Sequence, residues 1–187
     1  MIFRETTLCG CFEITPRILE DERGRFVKIF HREVFADRGL NTDWAEEYYS
    51  VSRRGVLRGL HFQLPPHDHD KLVYCTEGSV LDAALDLRQG SPTYGEHVLL
   101  ELSAAVGNML YLPRGLAHGF YVQSASATLV YKVTSVYAPQ HDAGILWSSA
   151  NIAWPDSDPI ISARDRDFPE FNCFETPFAF HTGGGEA

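Results

Sequence analysis

The chain has 187 residues, of which 44% are hydrophobic and 12% aromatic, a composition typical of a folded protein and not of a disordered or collagen-like one. Its formal net charge of -9 argues against nucleic-acid binding, because a phosphate backbone is held mainly by clustered lysine and arginine. An anionic small ligand is still allowed, since it needs only a few local cations in a cleft.

Short segments rich in Val, Leu, Phe and Tyr alternate with turn residues along the chain. They are, in order, GCFEI, RFVKIF, GVLRGLHF, KLVYCTEG, SVLDAALDLR, HVLLEL, NMLYLP, HGFYVQ and ATLVYKVTSVY. This spacing predicts an all-β sandwich or barrel. EVFADRG near position 35 has a helical pattern, and a few short helices or turns are expected after Asn151. We expect one domain over residues 1–181 and a flexible tail over 182–187.

The N-terminal segment MIFRETTLCG lacks the apolar core and cleavage site of a secretory signal. No stretch approaches the roughly 20 apolar residues of a membrane helix, so we expect a cytoplasmic protein with no membrane association. Cys9 and Cys11 are too close for an ordinary disulfide, and Cys75 and Cys173 are isolated. All four are therefore expected to be reduced.

One motif narrows the fold. Gly107, Pro113, Gly115 and His118 form G-x5-P-x-G-x2-H, the second motif of the cupin superfamily, which predicts a cupin-type jelly roll, or double-stranded β-helix. Upstream, His67 and His69 imitate the H-x-H of the first motif. The glutamate of that motif is absent, and Val122 replaces the asparagine that closes the second, so the usual metal set is incomplete.

His61, in VLRGLHFQ, is the first candidate for chemistry. A lone histidine on an apolar strand is more often a hydrogen-bonded core residue, but Arg58, Lys71, His118 and Tyr131 also lie on apolar strand-like segments. Several such residues together indicate one polar pocket. Arg58 and His61 would face opposite ways on an ideal strand, so Gly59 is expected to mark a bulge that re-aims one of them.

Two carboxylates, Asp82 and Asp86, share a strand face in SVLDAALDLR. We interpret both as solvated or structural and assign them no chemistry.

The chain resembles the dTDP-4-dehydrorhamnose 3,5-epimerase family along most of its length. The resemblance lies in DERGRFVKIF, RGVLRGLHFQ, KLVYCTEG, DLRQGSPTYG, LPRGLAHGF, LVYKVTSVYAP, GILW and ISARD, of which RGLHFQ and LAHGF together are quite specific. It implies a metal-free, cofactor-free homodimer that acts on a deoxythymidine diphosphate 4-keto-6-deoxy sugar.

Matched position by position, the resemblance also implies site residues. The general base falls on His61, its orienting aspartate on Asp165, the opposite acid on Tyr131 and the lysine near the keto oxygen on Lys71. The substrate-binding residues implied are Arg23, Phe26, Glu46, Arg58, Gln63, His118, Tyr137 and Arg164, with Arg23 and Phe26 reaching in from the partner subunit.

The chain departs from the family pattern just before the serine that precedes RGVLRG. The family commonly has Gln-Asp-Asn there, where this chain has Glu46, Glu47 and Tyr48. Two carboxylates would repel a diphosphate unless they point away.

Three alternatives to 3,5-epimerisation stay open. One is a 3-epimerase of another nucleotide-activated 4-keto sugar. Another is a metal-dependent cupin enzyme using His61, His67, His69 and His118, and the third is a non-catalytic sugar-binding cupin.

Overall fold

A computed structural model describes residues 1–181; the predicted tail at 182–187 lies outside the described residues. The chain forms thirteen strands, two short α-helices and one 3-10 turn at Phe171–Cys173. The strands are β1 Ile2–Glu5, β2 Phe12–Thr15, β3 Ile18–Asp21, β4 Gly24–Val27, β5 Glu46–Arg53, β6 Leu57–Gln63, β7 Lys71–Glu77, β8 Ser79–Asp86, β9 His97–Ser103, β10 Met109–Leu112, β11 Leu116–Val122, β12 Ser126–Val133 and β13 Asp142–Gly144. The helices are α1 Arg32–Ala36 and α2 Ala163–Arg166.

Two antiparallel sheets face each other. One has the strand order β1-β2-β10-β7-β12-β5, the other has β13-β6-β11-β8-β9, and β3 and β4 form a separate hairpin. Apart from the pairs β1-β2 and β8-β9, neighbours in each sheet are not consecutive in sequence, as in a jelly roll. The predicted all-β cupin-type fold with a few short helices is confirmed.

Alternation of apolar and polar side chains places three apolar clusters. The first fills the space between the two sheets and includes Val73, Phe120 and Leu129. The second lies around Leu60 and Phe178 at the five-stranded sheet, and the third packs Phe35 of α1 against the six-stranded sheet. Each sheet therefore has an apolar cluster on its outer face in addition to the core shared between the sheets.

The nine predicted strand segments all contain a strand, and EVFADRG overlaps α1. Four strands had no counterpart in the prediction: β1, β3, β5 and β13. β5 has the sequence EEYYSVSR, which lacks the apolar alternation of a core strand because it forms an edge and leaves Tyr49 and Val51 exposed. β13 has only three residues and is a strand only through its hydrogen-bonded pairing with β6.

Candidate active site

A bulge in β6 aims His61. His61 pairs with His118 of β11, whereas Arg58 pairs with Phe120, so β6 has one more residue than β11 between these two pairs. The predicted bulge at Gly59 is confirmed. Gly59 has φ 136°, and a Cβ there would lie 2.6 Å from the Cα of Gly119, so the two strands can approach this closely only without a side chain.

His61 forms a close pair with Asp165. Its Nε2 lies 3.0 Å from Oδ2 of Asp165, off the direction of the ring N–H, so the contact is electrostatic more than a well-aligned hydrogen bond. The same Oδ2 accepts a hydrogen bond from the Gly59 N–H at 3.1 Å, and Ser162 caps α2 by accepting from the Asp165 N–H. The bulge and the first turn of α2 therefore hold the carboxylate against the ring.

The charges of this pair are set by burial and by each other. Burial lowers the pKa of His61, although Asp165 opposes the shift, so the imidazole is neutral at neutral pH. Burial tends to raise the pKa of Asp165, but the close contact with His61 and the hydrogen bond from the Gly59 N–H lower it to about 2. A neutral base beside a permanent carboxylate is the arrangement that favours proton abstraction.

Lys71, the first residue of β7, extends its ammonium group into the same site. Nζ donates to the His61 carbonyl oxygen at 3.1 Å, and the side chain is buried. Burial lowers the pKa of Lys71 to about 8, although Asp142 and Asp82 raise it. A cation is thus held close to the base without a salt-bridge partner among residues 1–181.

Tyr131 lies on the opposite sheet, on β12, and is buried. The ring of Tyr48 stacks on it with centroids 4.9 Å apart, and His118 packs edge-on at 6.1 Å. The Tyr131 hydroxyl contacts Ser50 Oγ at 3.2 Å. Tyr48 therefore covers one face of the Tyr131 ring, an arrangement that the sequence did not indicate.

His118 lies deeper in the barrel than predicted for a sugar-binding residue. Its Nε2 contacts Oδ2 of Asp82 at 2.9 Å, and both side chains are buried. Asp86 is also fully buried and accepts hydrogen bonds from Arg88, Ser91 and Thr93. Of the two predicted alternatives, solvated or structural, burial excludes the solvated one for both carboxylates. Asp86 has a structural role, whereas Asp82 supports His118.

Two cavities meet at His61 and Arg164, which line both. The first, of about 330 Å³, is lined by Glu46, Tyr48, His61, Phe62, Gln63, His69, Lys71, Val133, Ser135, Tyr137, Asp142 and Arg164. The second, of about 750 Å³, is lined by Val51, Ser52, Arg53, Val56, Leu57, Arg58, His61, Ile160, Ile161, Ser162, Arg164 and Asp165. Three arginines make the second cavity the more cationic one, and Arg58 is fixed there by donating from Nε to Ser52 Oγ at 2.9 Å.

Asp142 brings two predicted binding residues together at the mouth of the first cavity. Its Oδ2 accepts from the hydroxyl of Tyr137 at 3.2 Å and forms an ion pair with Arg164. Glu46 accepts from the Tyr137 backbone N–H at 2.7 Å. Gln63 also lines this cavity, but its side-chain oxygen accepts from the Ala138 N–H at 2.6 Å and its nitrogen donates to backbone carbonyls, so it shapes the loop carrying Tyr137.

The two carboxylates expected near the nucleotide point in different directions. Glu47 faces outward and pairs with Lys132, whereas Glu46 turns into the first cavity. Arg23 and Phe26 lie on the β3–β4 hairpin and line neither cavity around His61; Phe26 is 62% exposed and Arg23 pairs with Asp21.

The additional histidines are not arranged as a ligand set. His67 packs against His141 with ring centroids 4.5 Å apart, and Nδ1 of His69 contacts Ser135 Oγ at 3.0 Å. Within residues 1–181, no three His, Cys, Asp or Glu side chains converge in a way that could hold a metal ion. The four cysteines are free thiols, and none of the helices in this range is long and apolar enough to span a bilayer.

Comparison with known proteins identifies the family. A family model described as dTDP-4-dehydrorhamnose 3,5-epimerase matches residues 5–172. The chain belongs to the dTDP-4-dehydrorhamnose 3,5-epimerase family. The resemblance seen in the sequence motifs is confirmed.

Three relatives of this epimerase family illustrate the match. The dTDP-4-dehydrorhamnose 3,5-epimerase of Shigella flexneri is 43% identical over 159 residues, 83% of this chain and 88% of that protein. The crystal structure of dTDP-6-deoxy-D-glucose-3,5-epimerase from Legionella pneumophila Philadelphia 1, in complex with dTDP-4-keto-L-rhamnose, is 34% identical with a TM-score of 0.89 and covers 93% of this chain and 94% of that chain. A dTDP-4-dehydrorhamnose 3-epimerase of Streptomyces niveus is 39% identical over 170 residues, 89% of this chain and 82% of that protein.

Sequence reasoning missed several residues around the epimerase-family site. Asp142 lies on a three-residue strand, and Phe168, whose ring packs edge-on against His61 at 5.7 Å, lies in an irregular segment. Ser50 and Ser52 lie on the unrecognised strand β5. Of these residues, only Asp82 could have been predicted from the sequence. An aspartate between apolar residues on a core strand is expected to be buried with a partner.

Proposed function

We propose that this protein epimerises carbons 3 and 5 of a dTDP-4-keto-6-deoxy-hexose, converting dTDP-4-dehydro-6-deoxy-glucose to dTDP-4-dehydrorhamnose. The proposal rests on one observed arrangement. Neutral His61 lies against Asp165, and the Lys71 ammonium donates a hydrogen bond to the backbone carbonyl of the same histidine. A 4-keto group acidifies the protons on carbons 3 and 5, and an enolate oxygen needs a nearby cation. These groups supply a base and that cation in one cavity.

His61 removes the proton. The Asp165 contact on Nε2 favours the tautomer protonated at that nitrogen and leaves Nδ1 to accept the proton from carbon. As the imidazolium forms, the adjacent carboxylate stabilises it. The enolate oxygen at carbon 4 is paired with Lys71, which lines the cavity and uses one N–H donor on the backbone carbonyl of His61.

Tyr131 returns a proton to the other face of the sugar carbon. His61 is on β6 of one sheet and Tyr131 on β12 of the other, so a sugar between the sheets has the base and the acid on opposite sides. Burial raises the pKa of Tyr131, so its hydroxyl remains protonated until the enolate takes the proton. In this scheme the half-exposed Tyr48 ring turns aside to admit the sugar.

The diphosphate is assigned to the arginine-lined cavity. Arg58 lines this cavity and Arg164 lines both cavities, and a guanidinium can meet two phosphate oxygens at once. The nucleotide base is assigned to the mouth near Tyr137, whose ring is 58% exposed. Glu46 accepts from the Tyr137 N–H at this mouth, and neither Arg53 nor Arg58 lines the cavity that Glu46 lines.

We also propose that residues 1–181 act as one domain within a cytoplasmic homodimer. Edge strand β5 presents exposed Tyr49 and Val51, and the β3–β4 hairpin presents Phe26 and Arg23 away from their own site. Both features suit a second copy of the chain whose site the hairpin would complete. The assay is mixing: an inactive His61→Ala subunit and an inactive Arg23→Ala/Phe26→Ala subunit should together regain activity, and a mixture as inactive as its components would contradict the proposal.

The activity is tested by solvent exchange. With dTDP-4-dehydro-6-deoxy-glucose in D2O, we expect deuterium at both carbons 3 and 5 and formation of the inverted sugar, and both should be abolished by His61→Ala. A His61→Ala protein with near-normal exchange would refute the mechanism.

The relative named as a 3-epimerase gives the second candidate. Exchange and inversion confined to carbon 3 would replace the double epimerisation with that activity.

A further inference from the structure

The side chains on the inner face of edge strand β5 form a short polar row, Tyr48, Ser50 and Ser52, which we call the β5 row. The strand pairs antiparallel with β12, so that Tyr48 stands opposite Tyr131 and Ser50 opposite Leu129. Residues two apart share a face, and the row therefore runs alongside Tyr131.

Each serine of the β5 row contacts one functional side chain. Ser50 Oγ lies 3.2 Å from the Tyr131 hydroxyl and is the sole hydrogen-bonding partner of that hydroxyl within residues 1–181. Ser52 Oγ accepts from Nε of Arg58 at 2.9 Å. Tyr48 and His118 hold the Tyr131 ring by stacking and by edge contact. Neither forms a hydrogen bond with the Tyr131 hydroxyl, so Ser50 is the residue that can orient its O–H bond.

We propose that Ser50 is a positioning residue for proton return, which donates its hydroxyl proton to the Tyr131 oxygen and leaves the phenol proton directed at the sugar. This inference rests on the proposed function, in which Tyr131 is the acid. The opposite polarity, with Tyr131 donating to Ser50, would engage the phenol proton in the protein and withhold it from the enolate.

Ser50 also acts on the charge that develops in the step. The phenol O–H bond breaks and a C–H bond forms at carbon 3 or 5. The electron pair of the enolate restores the carbonyl at carbon 4, and the negative charge moves to the Tyr131 oxygen. That oxygen then accepts the Ser50 hydroxyl as a charge-assisted hydrogen bond, which is about twice as strong as a neutral one.

The electrostatics agree with this role. Burial raises the pKa of Tyr131, and the Ser50 contact is the largest influence that lowers it. Without Ser50, the phenol would be a weaker acid. The enolate would then survive longer and could recover a proton from His61 on its original face.

Loss of Ser50 therefore has a signature of its own. Proton return by His61 gives exchange with solvent but no inversion, whereas proton return by Tyr131 gives inversion. We expect Ser50→Ala to lower the rate of inversion by about 10- to 100-fold, the usual range for a hydrogen bond to a charged group. Exchange should fall much less, so the ratio of exchange to inversion rises.

Two further variants keep the test specific. Ser50→Thr retains the hydroxyl and suits a strand, so the ratio should return towards that of the unsubstituted protein. Ser52→Ala is the matched control, because it removes a hydroxyl from the same face of the same strand but touches Arg58. It should raise KM for the nucleotide sugar and leave the ratio unchanged.

The measurement is deuterium content and product stereochemistry at both carbons, with thermal unfolding to establish that each variant is folded. An unchanged ratio in Ser50→Ala would overturn the proposal, as would an equal rise in Ser52→Ala, which would indicate general distortion of β5. Failure of the unsubstituted protein to exchange any sugar proton would instead overturn the proposed epimerase function and the role of Ser50 with it.

Discussion

The contact between His61 and Asp165 allows a prediction in which stability and catalysis are measured on one variant, Asp165→Asn. Asp165 is 3% exposed, and its pKa falls from the ordinary 3.8 to about 2 in the folded protein. At about 1.4 kcal/mol for each tenfold change in proton affinity, this fall corresponds to about 2 kcal/mol of folding free energy at neutral pH.

The sign of the pH dependence follows from the depressed pKa. The stabilisation is fully present above the pKa of the unfolded carboxyl, near 3.8, and is lost as the pH falls through about 2. Asp165→Asn should therefore be less stable by about 2 kcal/mol at pH 7, and the difference should shrink towards zero near pH 2. Urea unfolding at a series of pH values measures this.

The same substitution removes the charge that stabilises the imidazolium of His61. We expect deuterium uptake at carbons 3 and 5 to fall by about 10²- to 10⁴-fold, the range of general acid–base contributions. An asparagine also presents an amide that can select the wrong tautomer of the ring. A stability difference that is the same at pH 7 and pH 2.5, or exchange within about twofold of the unsubstituted protein, would refute the reasoning.

Three other perturbations test separate parts of the site. The Lys71 ammonium loses its proton near its pKa of about 8, so kcat should fall about tenfold for each pH unit above that value, and a pH profile of Lys71→Arg should lack this alkaline limb. Gly144→Ala would place a Cβ 2.3 Å from the Phe168 ring and should cost about 1–3 kcal/mol of stability in chemical unfolding, with a slower exchange rate because Phe168 packs on His61. Tyr48→Ala should uncover Tyr131, cost about 0.5–1.5 kcal/mol of stability through the lost ring contact, and lower KM because no ring has to move aside.

Much of the fold could be predicted because its strands are core strands. KLVYCTEG begins with a run that is buried on both faces and ATLVYKVTSVY alternates buried and partly buried side chains, and these segments form β7 and β12. The edge strand β5 was missed since one of its faces is exposed and the other is polar. The bulge at Gly59 could be inferred from a conflict in side-chain direction between Arg58 and His61.

The sequence by itself determined the fold class and the family, because each of these is recorded in local pattern and motif. Only the tertiary structure decided which side chains are in contact. Asp165 meets His61 across 104 positions, and Ser50 meets Tyr131 across 81, through strand pairing and closure of the barrel. Tyr48 covering Tyr131, and Asp82 buried under His118, likewise depend on which strands become neighbours, and that is set by packing of the two sheets as a whole.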